Sequence, residues 1–374
     1  MKIGIVGAGL NGLACALLLK KFGHEVTVFE RSEQPRDSGT GIYVWPQGVQ
    51  ILRFILNDNS FLNEGQPIDS LVTLDRHGKE VHRQLVQMPG HDFPAPAVMF
   101  ERQRLFNLLK QALGPDDIRY GAACTKVINT REEAKIEINH SDYESFDLVV
   151  GTDGISSKVR EYVCDSQPHY TGVIASRGVT CFDCDILEEN ACQIFAHDQA
   201  RLVTYPLDNS TRFRYWFVAY QHDLDQPTLD RNEMAQRLEG LPAPLLEMIE
   251  NTREDNILTL PLNAITPGHQ WYNGRCVLLG DSIHGMLPTL GYGLTLGLEN
   301  CFMLAQALNG SCFDDIQPAL KRYQTRVAQR SCQLIEVMEQ LTDLFYFQKE
   351  TVQKQQRLGE VMGRFHELAR TTAF

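Results

Sequence analysis

No stretch of this chain reaches the roughly 18 consecutive apolar residues that a membrane-spanning helix needs. The first ten residues, MKIGIVGAGL, open like a secretory leader with one lysine ahead of an apolar run, but glycines break the run and charges soon follow. A cytoplasmic chain without a membrane span is therefore expected. A basic excess is also missing: 35 Lys and Arg face 47 Asp and Glu, for a formal net charge of -12. Surfaces that grip phosphate backbones carry the opposite sign, so no nucleic acid is expected as a partner, and a small ligand is. Ten cysteines are present, but paired spacing is scarce, because Cys181 and Cys184 form the only CxxC. With no second pair and no histidine spacing to complete a zinc set, no metal is expected and the thiols should be reduced. Linkers of low complexity and internal repeats are lacking too. At 374 residues the chain is then expected to form two interleaved lobes rather than two in series.

What is present begins at the N-terminus. Residues 2 to 6 read as a strand, 11 to 22 as a helix and 25 to 30 as a second strand, a βαβ unit. Between the first strand and the helix stands Gly7-Ala8-Gly9-Leu10-Asn11-Gly12, and Glu30 closes the second strand. This is a dinucleotide fingerprint in its required context. Gly7 permits the tight turn, Gly9 lets backbone approach a pyrophosphate, and Gly12 allows close packing of helix on strand. The free N–H groups and positive dipole of the helix start suit phosphates, and Glu30 suits a ribose hydroxyl. Leu10 and Asn11 within the turn, and Arg31 beside Glu30, belong to the same expected cofactor set. The fingerprint alone does not separate NAD from FAD.

Further along, 47 to 57 and 100 to 114 read as helices, 171 to 222 as strand-rich, 230 to 252 as helical, and 292 onward as mostly helix. Two segments carry further chemistry. One is Gly151-Thr152-Asp153-Gly154-Ile155-Ser156-Ser157-Lys158-Val159-Arg160, and the other is Gly280-Asp281-Ser282-Ile283-His284-Gly285-Met286-Leu287-Pro288. They resemble, in order and spacing, the GADGxxSxVR and GDAAHxxxP segments of the flavoprotein aromatic hydroxylase family typified by para-hydroxybenzoate hydroxylase. Asp281 follows an apolar strand and can accept a hydrogen bond from a ribityl hydroxyl. Arg102, with Leu105 three residues on, matches the RxxL helix start of that family.

The resemblance implies an α/β fold: a Rossmann-like FAD-binding domain of the hydroxylase type, interleaved with a β-sheet substrate domain and followed by C-terminal helices. The FAD-binding part is expected over 1–70, 100–170 and 270–312, the substrate sheet over 71–99 and 171–269, and helix over 313–374. FAD would be held by the glycine turn, Glu30, Arg31, Arg102, Asp153, Asp281 and a glycine-rich loop with Gly291, Gly293, Leu294 and Thr295. The resemblance also implies an NAD(P)H-consuming monooxygenase, with NADH or NADPH as a transient co-substrate, that hydroxylates a small aromatic or heteroaromatic substrate with O2 through a flavin C4a-hydroperoxide. There is no second GxGxxG to hold the nicotinamide permanently.

The loop departs from the family's GQGxNxAxEDA at Tyr292, Thr295, Gly297 and Asn300, so the edge of the flavin pocket is expected to differ. His284 is expected to be structural. IYVWPQGV at 42 to 49 looks most like the urate and salicylate hydroxylase branch. That likeness points to Arg201 and Tyr215 as substrate-positioning residues, with Pro288 beside the reacting ring. An epoxidase or prenyl-chain reductase on the same fold, or a non-catalytic FAD-binding sensor, are the alternatives. The long helix near 314 to 346 has apolar surface for a monomer's core or a homodimer's interface.

Overall fold

The computed structural model describes residues 1–34, 40–86, 95–197, 200–208, 212–225, 229–311, 315–349 and 351–371. Parts of the FAD-binding segment expected over 1–70, of the substrate-sheet segment over 71–99, and of the boundary at 312 lie outside the described residues.

The first two strands and their helix pair as their pattern requires. Lys2–Val6 lies between Glu25–Phe29 and Leu148–Gly151, all parallel, and the six-stranded sheet continues to Cys276–Leu278 and Tyr272–Asn273 on one side and Ile118–Arg119 on the other. Helix Leu10–Lys21 buries nine of its residues. It is apolar on every side because it runs between this sheet and the helices Arg102–Leu113 and Gly293–Leu308. A helix with no polar face is stable only when enclosed in this way.

A seven-stranded sheet forms the second layer, in the order Ile257–Ile265, Pro168–Cys181, Phe213–Gln221, Ala200–Pro206, Ala191–Ala196, Ser70–Leu74, Glu80–Leu85. Its central strands are buried on both faces. One face carries Trp216, Val218, Leu202 and Phe195 and packs under Arg231–Arg237 and Ala243–Glu250. The other carries Arg177, Arg201, Val203, Tyr205, Tyr215 and Phe217, which line a large cleft. Side chains two apart share a face of a strand, so the same period that hides Trp216 turns Tyr215 and Phe217 toward the cleft.

Two helical readings gain detail. The segment read as helical over 230 to 252 is two helices, because Gly240 has φ +98 and Pro242 starts the second. The mostly helical stretch from 292 onward is three helices, Gly293–Leu308, Gln317–Tyr346 and Val352–Arg370. A short helix, Lys158–Val163, follows Ser157, whose hydroxyl accepts from the Arg160 N–H.

Candidate active site

The cleft, about 1130 Å³, runs from the N-terminal glycine turn to the face of the seven-stranded sheet. That exceeds the roughly 300–1,000 Å³ common for a single-ligand pocket, leaving room for a dinucleotide and a second small molecule.

At the first end the turn is fixed by close approach. Gly7 has φ +102, and a Cβ on Gly12 would overlap the Gly7 carbonyl oxygen. A Cβ on Gly9 would meet no protein atom within 4 Å and would project into open space. The Glu30 carboxylate is aimed by two backbone donors, the N–H of Ala8 at 3.0 Å and that of Ser32 at 2.9 Å. Both Glu30 and Arg31 line the cleft. Asn11 lines it too, and its Oδ1 is buried without a partner among the described residues. Free helix-start amides, a turn stripped of side chains, a carboxylate held in readiness and an orphaned buried acceptor together fit an FAD.

Farther in, Arg102 starts its helix with its N–H on the Thr40 carbonyl at 2.8 Å, and Asp281 starts another. Burial holds the Arg102 guanidinium below its ordinary value, with Asp281 opposing the shift and Arg177 adding to it. These three charged groups therefore share one stretch of cleft. Asp153 borders it, but its carboxylate faces its own loop, accepting from the Ser157 hydroxyl and from the N–H of Lys158 at 2.7 Å. Burial pushes its pKa up against those donors. Arg160 likewise turns inward, onto the carbonyls of Ile155, Ser166 and Ser282.

The glycine-rich loop lies across the middle of the cleft. Gly291, Gly293 and Leu294 line it, and the helix beginning at Gly293 makes its first closing bond only at Leu296, whose N–H donates to Tyr292. The amides ahead of it have no intrahelical acceptor. All four departures from the expected loop sequence fall behind it. The Tyr292 hydroxyl sits 3.0 Å from Glu299 and 3.0 Å from the Arg330 guanidinium. The Thr295 hydroxyl accepts from the Trp45 N–H at 3.1 Å, so its side chain is not brought to the cleft. Gly297 makes room for Asn11, since a Cβ there would overlap Asn11 Nδ2. Asn300 Oδ1 accepts from His284 Nε2 at 2.7 Å. The expected change at the edge of the flavin pocket is thus displaced to its rear, where each altered residue has a packing partner. His284 is fully buried, outside the cleft lining, and burial lowers its pKa, which leaves it neutral.

At the far end the cleft becomes an apolar chamber walled by Ile194, Val203, Phe217 and Leu262. Arg201 enters it from strand Ala200–Pro206. Its Nη1 donates to the Thr289 carbonyl at 2.8 Å, its plane lies 4.4 Å from the Phe345 ring centroid, and its Nε is buried without a partner among the described residues. Pro288, next to Thr289, borders the cleft, and its carbonyl accepts from the Gly291 N–H at 3.3 Å. Tyr215 shares the face with Arg201 but not the place. Tyr215 pairs with Tyr205, whereas Arg201 pairs with Ala219, four residues along. That is about 13 Å of strand.

Tyr215 meets Arg177 instead, and burial pushes its phenol up to about 12 despite that neighbour. Burial raises the Tyr205 phenol as well, so both phenols are donors at neutral pH. Two cleft residues escaped sequence reading. Arg177 is one, and strand alternation from Val179 was its available signal. Tyr43 is the other, with its ring centroid 5.0 Å from that of Trp45 and its hydroxyl buried without a partner among the described residues. Nothing local distinguishes it from a core tyrosine.

The described residues include no group of three His, Cys, Asp or Glu that could hold a metal ion, and both Cys181 and Cys184 are free thiols. No helix among them is long and apolar enough to cross a membrane.

The chain belongs to the FAD-binding-domain family, which it matches over residues 1–337. It is an FAD-dependent monooxygenase. Over 337 residues it is 30% identical to the aurachin C monooxygenase/isomerase of Stigmatella aurantiaca, covering 87% of this chain and 85% of that one. It is 26% identical to the FAD-dependent urate hydroxylase of Mycolicibacterium vanbaalenii, covering 90% and 86%. In fold it resembles HpxO of Klebsiella pneumoniae, solved with FAD and uric acid, at a TM-score of 0.84 and 21% identity over 100% of this chain and 93% of that one.

Proposed function

We propose that the protein hydroxylates a small aromatic or heteroaromatic molecule that carries hydrogen-bond acceptors, taking electrons from NADH or NADPH and oxygen from O2. The observation that carries this reading is the continuity of the cleft, from a dinucleotide cradle, past the amides of Gly291 to Leu294, into an apolar chamber with unpaired donors. Buried polar groups are nearly always satisfied, so Arg201 Nε and Tyr43 Oη call for acceptors on whatever fills the chamber.

When bound, FAD supplies electron transfer and the activation of O2. The chain's own residues bind and orient. The turn Gly7 to Gly12, Glu30, Arg31, Arg102 and Asp281 hold the cofactor, and the helix start at Gly293 stabilises negative charge placed against it. Arg201 orients the substrate while fixing the Pro288 loop through Thr289. Arg177 stands at the seam between the two ends, beside Tyr215, whose buried phenol stays protonated as a donor. The aliphatic walls exclude water from the reacting centre.

In this reading the cofactor is carried by 1–70, 100–170 and 270–312 and the substrate by 71–99 and 171–269, with 313–374 as helical support. The free thiols of the described chain support a reducing compartment, the cytoplasm.

The test is Arg201→Met in the FAD-loaded protein, assayed for NAD(P)H oxidation stimulated by a panel of aromatic acids and hydroxylated heterocycles. Loss of a charge-assisted contact should weaken the active substrate roughly ten- to hundredfold with flavin content unchanged. Unchanged substrate affinity would remove Arg201 from the role. A product lacking a gain of about 16 Da would overturn the monooxygenation itself.

A further inference from the structure

Behind the glycine-rich loop lies a buried polar cluster that none of the cofactor contacts requires. Glu299 is fully buried and Arg330 is 9% exposed. Arg330 donates to both carboxylate oxygens, from Nε at 2.8 Å and from Nη2 at 3.1 Å. The same Nη2 donates to the Tyr292 hydroxyl, which in turn donates to Glu299, so three side chains close a ring of hydrogen bonds. Leaving one partner of such a buried pair unmatched is costly, and each member holds the other two in place.

The ring is closed from outside by the last helix. Arg330 Nη1 donates to the Leu368 carbonyl, and at 3.2 Å to the Thr371 hydroxyl. Gln47 Nε2 donates to the Ala369 carbonyl. Phe365 is fully buried edge-on to two rings, Trp45 at 5.3 Å and Tyr292 at 5.7 Å between centroids. Trp45 then grips the loop itself, its indole N–H on the Leu290 carbonyl at 3.1 Å and its backbone N–H on the Thr295 hydroxyl. Tyr292 stands between Gly291, at φ +64, and Gly293, the two glycines that face the cleft. Helix Val352–Arg370 lies beyond the segment that matches the family, which ends at residue 337.

We infer that helix Val352–Arg370 is a brace for the cofactor loop, and that Tyr292, Glu299, Arg330 and Phe365 are positioning residues through which it fixes the amides of Gly291 to Thr295. Glycines on both sides of Tyr292 leave that loop flexible by itself. Its rigidity is supplied from the rear by the aromatic stack and the ring of hydrogen bonds. The brace touches no substrate, and it acts on the cofactor only through the loop.

The test compares Tyr292→Phe, which keeps the ring and removes only the hydroxyl, with Phe365→Leu, which keeps an apolar side chain in the slot. Amide hydrogen exchange in the FAD-loaded protein should quicken roughly tenfold over residues 288–297 in both variants, while strand Lys2–Val6 keeps its protection. The midpoint potential of the bound flavin should move to more negative values, because amides that wander stabilise charge on the reduced cofactor less well. A merely structural role would lower the melting temperature without moving that potential. The inference is overturned if, in both Tyr292→Phe and Phe365→Leu, either the potential or the exchange over 288–297 is unchanged. If one variant fails to fold, the other decides the matter alone.

Discussion

The two ends of the cleft recognise their occupants by different means. At the glycine turn the work is done by main chain: helix-start amides, a backbone-aimed carboxylate, and positions where a Cβ has no room or would intrude. In the chamber and at the seam beside it the polar groups on offer are side chains, Arg201, Arg177, Tyr43 and Tyr215, delivered by strands far apart in sequence. Main-chain recognition depends on local conformation and tolerates little change, whereas side-chain recognition can be rewritten one residue at a time without disturbing the sheet. A single scaffold can therefore keep one cofactor and exchange substrates.

Breaking the comparison at its stiff end should give the largest effect. Gly12→Val puts a side chain against the Gly7 carbonyl, which is backbone and cannot step aside. FAD should be lost outright, read as absent flavin absorbance in the purified protein and no saturation in a fluorescence titration. Retention of stoichiometric FAD would show that the turn is softer than its geometry.

A smaller effect sharpens where the stiff end stops. Asp153 borders the cleft, yet its carboxylate is engaged by Ser157 and Lys158. Asp153→Ala should cost roughly 1–3 kcal/mol of stability through donors left unpaired, measured by chemical denaturation, with FAD affinity changed by no more than a few-fold. A large loss of FAD at unchanged stability would move Asp153 into the cofactor's contacts.

The smallest effect concerns pH. Burial lowers the pKa of His284 from the ordinary 6.5, and it lowers those of His24 and His366 in the same direction. The unfolded chain then binds more protons than the folded one below about pH 6.5, so stability is full above that value and declines as pH falls through it. His284→Gln should make the decline shallower in denaturation midpoints compared at neutral and mildly acidic pH. An identical slope in the variant would mean that His284 is not the neutral buried group its surroundings require.

The difference between the two ends also governs what the sequence reveals. Gly7, Gly12 and Glu30 were legible because their constraint is local, a turn and the end of the next strand, and the same holds for Asp281 after its short strand. Arg177 and Tyr43 were not, because their role depends on sheet pairing and on which face the cleft takes, neither of which is written within a few residues. Arg201 and Tyr215 are singled out by likeness, yet their separation along the strand emerges only when Tyr215 pairs with Tyr205. The loop departures were noticed for what they replace, whereas their meaning lay in partners far along the chain, Asn11 for Gly297 and Trp45 for Thr295.

The fit of Asn11 into the space left by Gly297, and against Gly280 on its other side, constrains how this chain can change. An alanine at 297 would oblige the Asn11 amide to move, and a smaller residue at 11 would leave a hole beside Gly297 and Gly280. The two positions are coupled through this contact, so the effect of a change at one depends on the residue held at the other.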